Sequence, residues 1–266
     1  MQNALFAAIL ASIACGLIGP FIVARRMVFI SGGLSHTAFG GLGIAYWLGI
    51  RPIYGATVFV LAAALFLSSL EEKKLSQNDL FIGIFWAVGV AIGIVFVHLT
   101  PGYAPDLLSF LFGNILTVPR TDVAIMLIIV FIVVITVAIF YKGFVAIALD
   151  EEFAQARHLP VQGLKTSLTV LAALTIVTLI QVVGILLVIA LLTIPVAIAS
   201  ELSMNFRKII VLAIFFGIAS CLLGLFISYS LEFPSGASII LTSGILLAIV
   251  KSVKGIAKRS KSAYVQ

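Results

Sequence analysis

The sequence predicts an all-α polytopic membrane protein with eight or nine transmembrane helices, some of them short, broken or re-entrant. Three observations predict it. Hydrophobic residues make up 62% of the 266 positions and charged residues only 10%, against roughly 45–50% and 25% in soluble domains. The mean hydropathy is +1.28. The apolar residues also fall in runs near the ~20 residues that a membrane crossing needs, punctuated by short charged clusters. A water-soluble enzyme is thereby excluded. Residues 1–266 read as a single transmembrane domain, with little chain left for a soluble one on either side.

The first run, 4–24, ends at Arg25-Arg26 and would extend about 32 Å as a helix. No basic residue precedes it, so MQNALFAAIL predicts a membrane helix rather than a signal peptide. The second run, 34–50, is short and Gly-rich and ends at Arg51-Pro52. The third, 53–70, stops at Glu71-Glu72-Lys73-Lys74, and the fourth covers 80–99. TPGYAPD at 100–106 predicts a turn, followed by the moderately apolar LLSFLFGN at 107–114. The run 123–141 is almost unbroken Ile, Val and Phe.

The stretch 166–200 has no charge over 35 residues. As one helix it would be about 52 Å long, against a hydrocarbon core of ~30 Å. It predicts two crossings broken near Gln181–Gly184, or one crossing plus a broken helix. A polar loop at 201–208, a crossing at 209–230, a turn at EFPSG 232–236 and a crossing at 237–250 complete the chain before a tail, 251–266, with five Lys/Arg.

The net charge of +6 is a topology signal. The loops around Arg25, 71–79, 142–165 and 201–208, together with the tail, hold 14 of the 16 Lys and Arg, and only Arg51 and Arg120 lie opposite. The positive-inside rule makes the first set cytoplasmic. The N-terminus is then outside and the C-terminus inside, which fits nine crossings, or eight if one Gly-rich segment is re-entrant. The basic excess needs no nucleic-acid partner. Cys15 and Cys221 lie within apolar runs and read as small buried residues, not a disulfide framework.

The chain has no GxxxxGK[ST] loop to hold ATP phosphates and no HExxH metal motif. Ser35 and His36 point about 100° apart on a helix and cannot act as a nucleophile–base pair. In SGGLSHTAFGGLG at 31–43, Gly32, His36, Gly40 and Gly43 share a stripe roughly 80° wide. Glycines on one stripe permit close helix approach. His36 is predicted to face the protein interior or a water-filled path, either as a packing histidine hydrogen-bonded to a neighbouring helix or as a pathway ligand for a divalent cation. His98 is predicted at an outer helix end, and His158 on the cytoplasmic surface.

DEEFAQARHLP at 150–160 predicts a short cytoplasmic helix with Asp150 as N-cap and Pro160 as its end. Two readings stand side by side. One is a solvated connector. The other is a docking helix whose Phe153 and Ala154 enter a partner's groove, rimmed by Asp150, Glu151 and Glu152.

These segments, with VARRMVFISGGLSHTAFGG, LSFLFGN at 108–114 and ALLTIP at 190–195, resemble the permease subunits of ATP-binding-cassette importers for zinc, manganese and iron. The resemblance runs over nearly the whole chain. It implies a second permease copy, identical or paralogous, a separate cytoplasmic ATPase that uses the ATP, and an extracytoplasmic metal-binding protein. It implies the cell membrane of a prokaryote, a transported metal ion and no permanently bound cofactor.

The family's first motif reads Gly-Asp-x-Leu-Ser/Ala-His-Ala. Leu34, Ser35 and His36 match it, and Gly32 stands in the aspartate position. The missing carboxylate implies a changed metal preference, a weaker transient site, or an oxygen from elsewhere, with Asp106, Asp122 and Glu201 as candidates. Asp150, Glu152, Phe153 and Ala154 match the family's coupling segment, and His158 stands where a small residue, often Gly, occurs. The rival from another class is an ATP-independent secondary transporter or channel. It would carry mid-span charges and repeated halves, neither of which is visible in the sequence.

Overall fold

The computed structural model describes residues 2–70, 75–101, 113 and 115–263. Its helices are α1 (Gln2–Ala24), α2 (Val28–Trp47), α3 (Pro52–Leu70), α4 (Leu75–Leu99), α5 (Arg120–Leu149), α6 (Glu151–Ala156), α7 (Val161–Val183), α8 (Ile185–Leu202), α9 (Phe206–Leu231) and α10 (Ser235–Ala263). A 3₁₀ turn covers Ile115–Thr117. Among the described residues nine helices are long and apolar enough to cross a membrane, all except α6. No strand occurs among them, as a lipid environment requires when no barrel closes.

The long uncharged stretch does break where its length demands. Gly184, at φ +83 and ψ 158, separates α7 from α8. Only glycine adopts that backbone without strain. The run 123–141 is longer than its apolar composition suggested, because α5 continues through Lys142 to Leu149. Of the 107–114 segment only Gly113 lies within the described residues, against the backbone of Val183 and Gly184.

Two groups of helices pack side by side. In one, α2 lies between α3 and α4. In the other, α1 packs on α5, α8 and α9, and α10 closes against α8 and α9. Helix α7 joins the groups by touching both α3 and α5. The most enclosed helices, α1, α2 and α7, carry Gly, Ala, Ser and Thr through their buried faces. Small side chains permit the close backbone contact that holds helices together where lipid is as apolar as leucine. The outward faces of α4 and α5 are large and apolar, including Val88, Val95, Phe131 and Ile139.

Two polar ends are distinct. At one, Asn3 Nδ2 donates to the Val118 carbonyl at 3.1 Å and Arg51 lies 3.7 Å from Asp122. At the other, Arg25, Glu151 and Lys165 converge. Lys254 also pairs with Glu201 at 3.3 Å.

Candidate functional site

His36 sits on the second turn of α2 beyond Val28. Its Nδ1 donates to the Gly32 carbonyl at 2.9 Å, which fixes that tautomer and leaves Nε2 as the free lone pair. The ring stacks on Trp86 of α4, with centroids 3.9 Å apart and planes at 20°. Of the two surroundings expected for His36, the protein interior or a water-filled path, the structure gives the interior on the side of the glycine stripe. The stripe faces α4, where Gly40 and Gly43 press on the backbone at Gly89 and Gly93, and Trp86 covers one face of the imidazole. His36 remains half-buried. Ser35 is fully buried and its hydroxyl donates to the Ser31 carbonyl at 2.8 Å, in keeping with its separation from His36.

Gly32 is adjacent to the same indole. A Cβ at Gly32 would meet Trp86 Cζ3 at 3.4 Å, so a side chain there and the Trp86 ring would share the space beside His36. Trp86 escaped the sequence reading. Its signal was a tryptophan well inside a span, away from the interfacial belt where the residue concentrates.

Two of the three proposed oxygen donors, Glu201 and Asp122, are engaged by cations elsewhere. Glu201 is engaged by Lys254, whose ammonium also donates to the Glu201 carbonyl oxygen. Asp122 faces Arg51. Asp106 lies outside the described residues. No group of three or more His, Cys, Asp or Glu that could hold a metal ion occurs among the described residues.

The polar loop folds as the caps predict at its start. Asp150 Oδ1 accepts from the Phe153 amide at 3.0 Å and begins α6. Its end differs from the expectation. The helix stops at Ala156, the chain reverses through His158 at φ +55, and Pro160 instead begins α7. The left-handed backbone at 158 explains why a small residue suits the position. His158 is exposed, as is His98 in the last turn of α4.

The two faces of α6 divide its side chains in a way the sequence did not show. Ala154 is 0% exposed and faces the helix bundle, so it cannot enter a partner's groove together with Phe153. Glu151, one turn before Ala154, points the same way and reaches Lys165 at 2.5 Å and Arg25 at 3.8 Å. The Arg25 and Lys165 side chains are 8% and 10% exposed. Phe153 is 52% exposed on the opposite face, with the Arg157 guanidinium 5.1 Å from its ring centre. Glu152 is exposed beside it. The helix thus presents an aromatic–cationic face outward and is held inward by charge.

The family model described as the ABC 3 transport family matches residues 1–254. The chain belongs to the ABC 3 transport family. It is a multi-pass membrane permease of that family. The chain is 45% identical over 249 residues to an uncharacterized membrane protein of Synechocystis sp., covering 94% of this chain and 89% of the relative. It is 37% identical over 249 residues to the manganese transport system membrane protein MntC of Listeria monocytogenes, again covering 94% and 89%. Among solved structures, PsaBC from Streptococcus pneumoniae in complex with Fab has a chain that aligns with a TM-score of 0.84 at 34% identity, covering 94% of this chain and 90% of that one. The family match spans both the His36 region and α6.

Proposed function

We propose that this ABC 3 permease is one transmembrane subunit of an ATP-driven importer of divalent transition-metal ions: manganese, zinc or iron. Relatives named for manganese transport over nearly their full length support the substrate class. The observation that carries the reading is α6. A six-residue helix between the two long helices α5 and α7 exposes Phe153 outward and is tied inward through Glu151. A cytoplasmic ATPase that seats Phe153 and Arg157 in a groove would move α6, and the movement would pass to α1 and α7 through Arg25 and Lys165. The Arg25 end is cytoplasmic on this reading, with the N-terminus outside and the C-terminus inside.

Metal arrives from an extracytoplasmic binding protein and passes between this subunit and a second permease copy. His36 offers Nε2 along that path. One imidazole with waters holds an ion loosely, and a transport site must release what it binds. No resident cofactor takes part.

Cells whose only permease carries His36→Ala test the ligand role by uptake of manganese, zinc and iron. We expect a large loss for the native cargo, and wild-type uptake of all three ions would refute the role. Phe153→Asp in the purified complex should abolish stimulation of ATP hydrolysis while membrane insertion persists. Retained stimulation would refute the docking assignment.

A further inference from the structure

We propose that the two grooves flanking Arg207 bind a diacyl anionic phospholipid. Its phosphate would rest on Arg207 and Lys208, and one acyl chain would lie in each groove. The larger groove, about 420 Å³, runs between α1, α5 and α9 along Leu17, Val137 and Ile210. It ends at Tyr141 and Arg207. A second groove of about 320 Å³ lies along Val211 and Leu212 and ends at Arg207 and Lys208. Arg207 and Val211, one turn apart on α9, line both and form the ridge between them.

The walls are aliphatic and lie within membrane-spanning helices, so water gains nothing by occupying them. The heads of the grooves are cationic. Arg207 is held with its guanidinium 5.3 Å from the Tyr141 ring centre, which positions the charge at the groove mouth without neutralising it. Among the described residues no carboxylate lies within ion-pair distance of Arg207 or Lys208, whereas Arg25, Arg51, Lys165 and Lys254 each have one. The amides of Arg207 and Lys208 are already satisfied by Asn205 Oδ1, at 3.0 and 3.4 Å. An anion therefore meets the side chains, not the helix end. Both residues sit at the same end of the bundle as Arg25, since Phe206 packs on Phe21 with ring centres 4.9 Å apart. Two unpaired cations above paired apolar grooves match one molecule with a phosphate and two hydrocarbon chains. Basic pockets between helices on the cytoplasmic side recognise anionic headgroups in this way.

The test uses the full-length chain in the complex in which it is extracted, placed in nanodiscs holding equal phosphatidylglycerol and phosphatidylcholine. Native mass spectrometry then reads the lipid that stays bound. Wild type should retain phosphatidylglycerol over phosphatidylcholine by roughly tenfold or more. Arg207→Gln with Lys208→Gln should abolish that preference. Val211→Trp fills the shared ridge from an exposed position and leaves both cations in place, and it too should lose the lipid. Equal retention of the two lipids by wild type, or an unchanged preference in the double variant, overturns the proposal. Wild-type retention in Val211→Trp overturns the seating of the chains. Loss of a co-purifying protein from the double variant with lipid retention unchanged assigns the cations to a protein contact and overturns the lipid assignment.

Discussion

Glu151 Oε1 lies 2.5 Å from Lys165 Nζ, across the junction between the short helix α6 and the span that follows it. The lysine is almost withdrawn from solvent and Arg25 approaches the same carboxylate at 3.8 Å. A single acid thus serves two cations that have little water of their own. Removing one partner of a fully buried pair costs about 3–5 kcal/mol, whereas exposed pairs contribute about 0–1 kcal/mol. Glu151 is itself 36% exposed, which places this cluster between those limits.

Glu151→Gln should therefore destabilise the chain by about 1–3 kcal/mol in thermal unfolding of the detergent-solubilised protein. Lys165→Met alone should also destabilise it, and the double variant should cost less than the two single costs combined. Additivity within about 0.5 kcal/mol would show that the pair contributes nothing.

His158 holds a left-handed backbone at φ +55 with an exposed side chain. His158→Gly removes the Cβ strain at a small entropic cost and should stabilise by about 0.5–1 kcal/mol. His158→Val should do the opposite, since a β-branched side chain resists that conformation. The order of midpoint temperatures checks both, and a glycine variant below wild type would contradict the account.

Gly41 lies against the Gly55 carbonyl of α3, with no room for a side chain. Gly41→Val should force α2 and α3 apart and cost about 3 kcal/mol or more, the upper end of overpacking. Gly83 faces open space, and a Cβ there would meet nothing within 4 Å, so Gly83→Val should be neutral within about 0.5 kcal/mol. Monodisperse yield after extraction separates the two.

Trp86 shields one face of His36. Trp86→Leu should raise the rate at which diethyl pyrocarbonate modifies His36 several-fold, read by peptide mass spectrometry. An unchanged rate would mean that the stack does not limit access to the ring.

Much of the architecture was legible because lipid makes length and charge decisive. The charges at Arg25, Arg51 and Lys208 bound their helices closely, and the uncharged stretch broke at Gly184 because no single helix of that length fits a bilayer. Asp150 was readable as a cap because capping is local. What stayed hidden depends on partners distant in the chain. The burial of Ala154 follows from where α7 and the end of α1 stand, and Gly41 matters only because Gly55 faces it. The stripe through Gly32, His36 and Gly40 follows from helical spacing, but that spacing could not say that a tryptophan would meet it.

The glycine contacts of α2 carry a mechanical consequence. On one flank it meets α3 through Gly41 and Gly55, and on the other it meets α4 through Gly43 and Gly93. At these points backbone meets backbone directly, so turning any one of the three helices would drive a carbonyl into a neighbour's Cα. The trio travels as a single plank. His36 and Trp86 ride on it together, and any opening that exposes the imidazole has its seam at the plank's edges, not inside it.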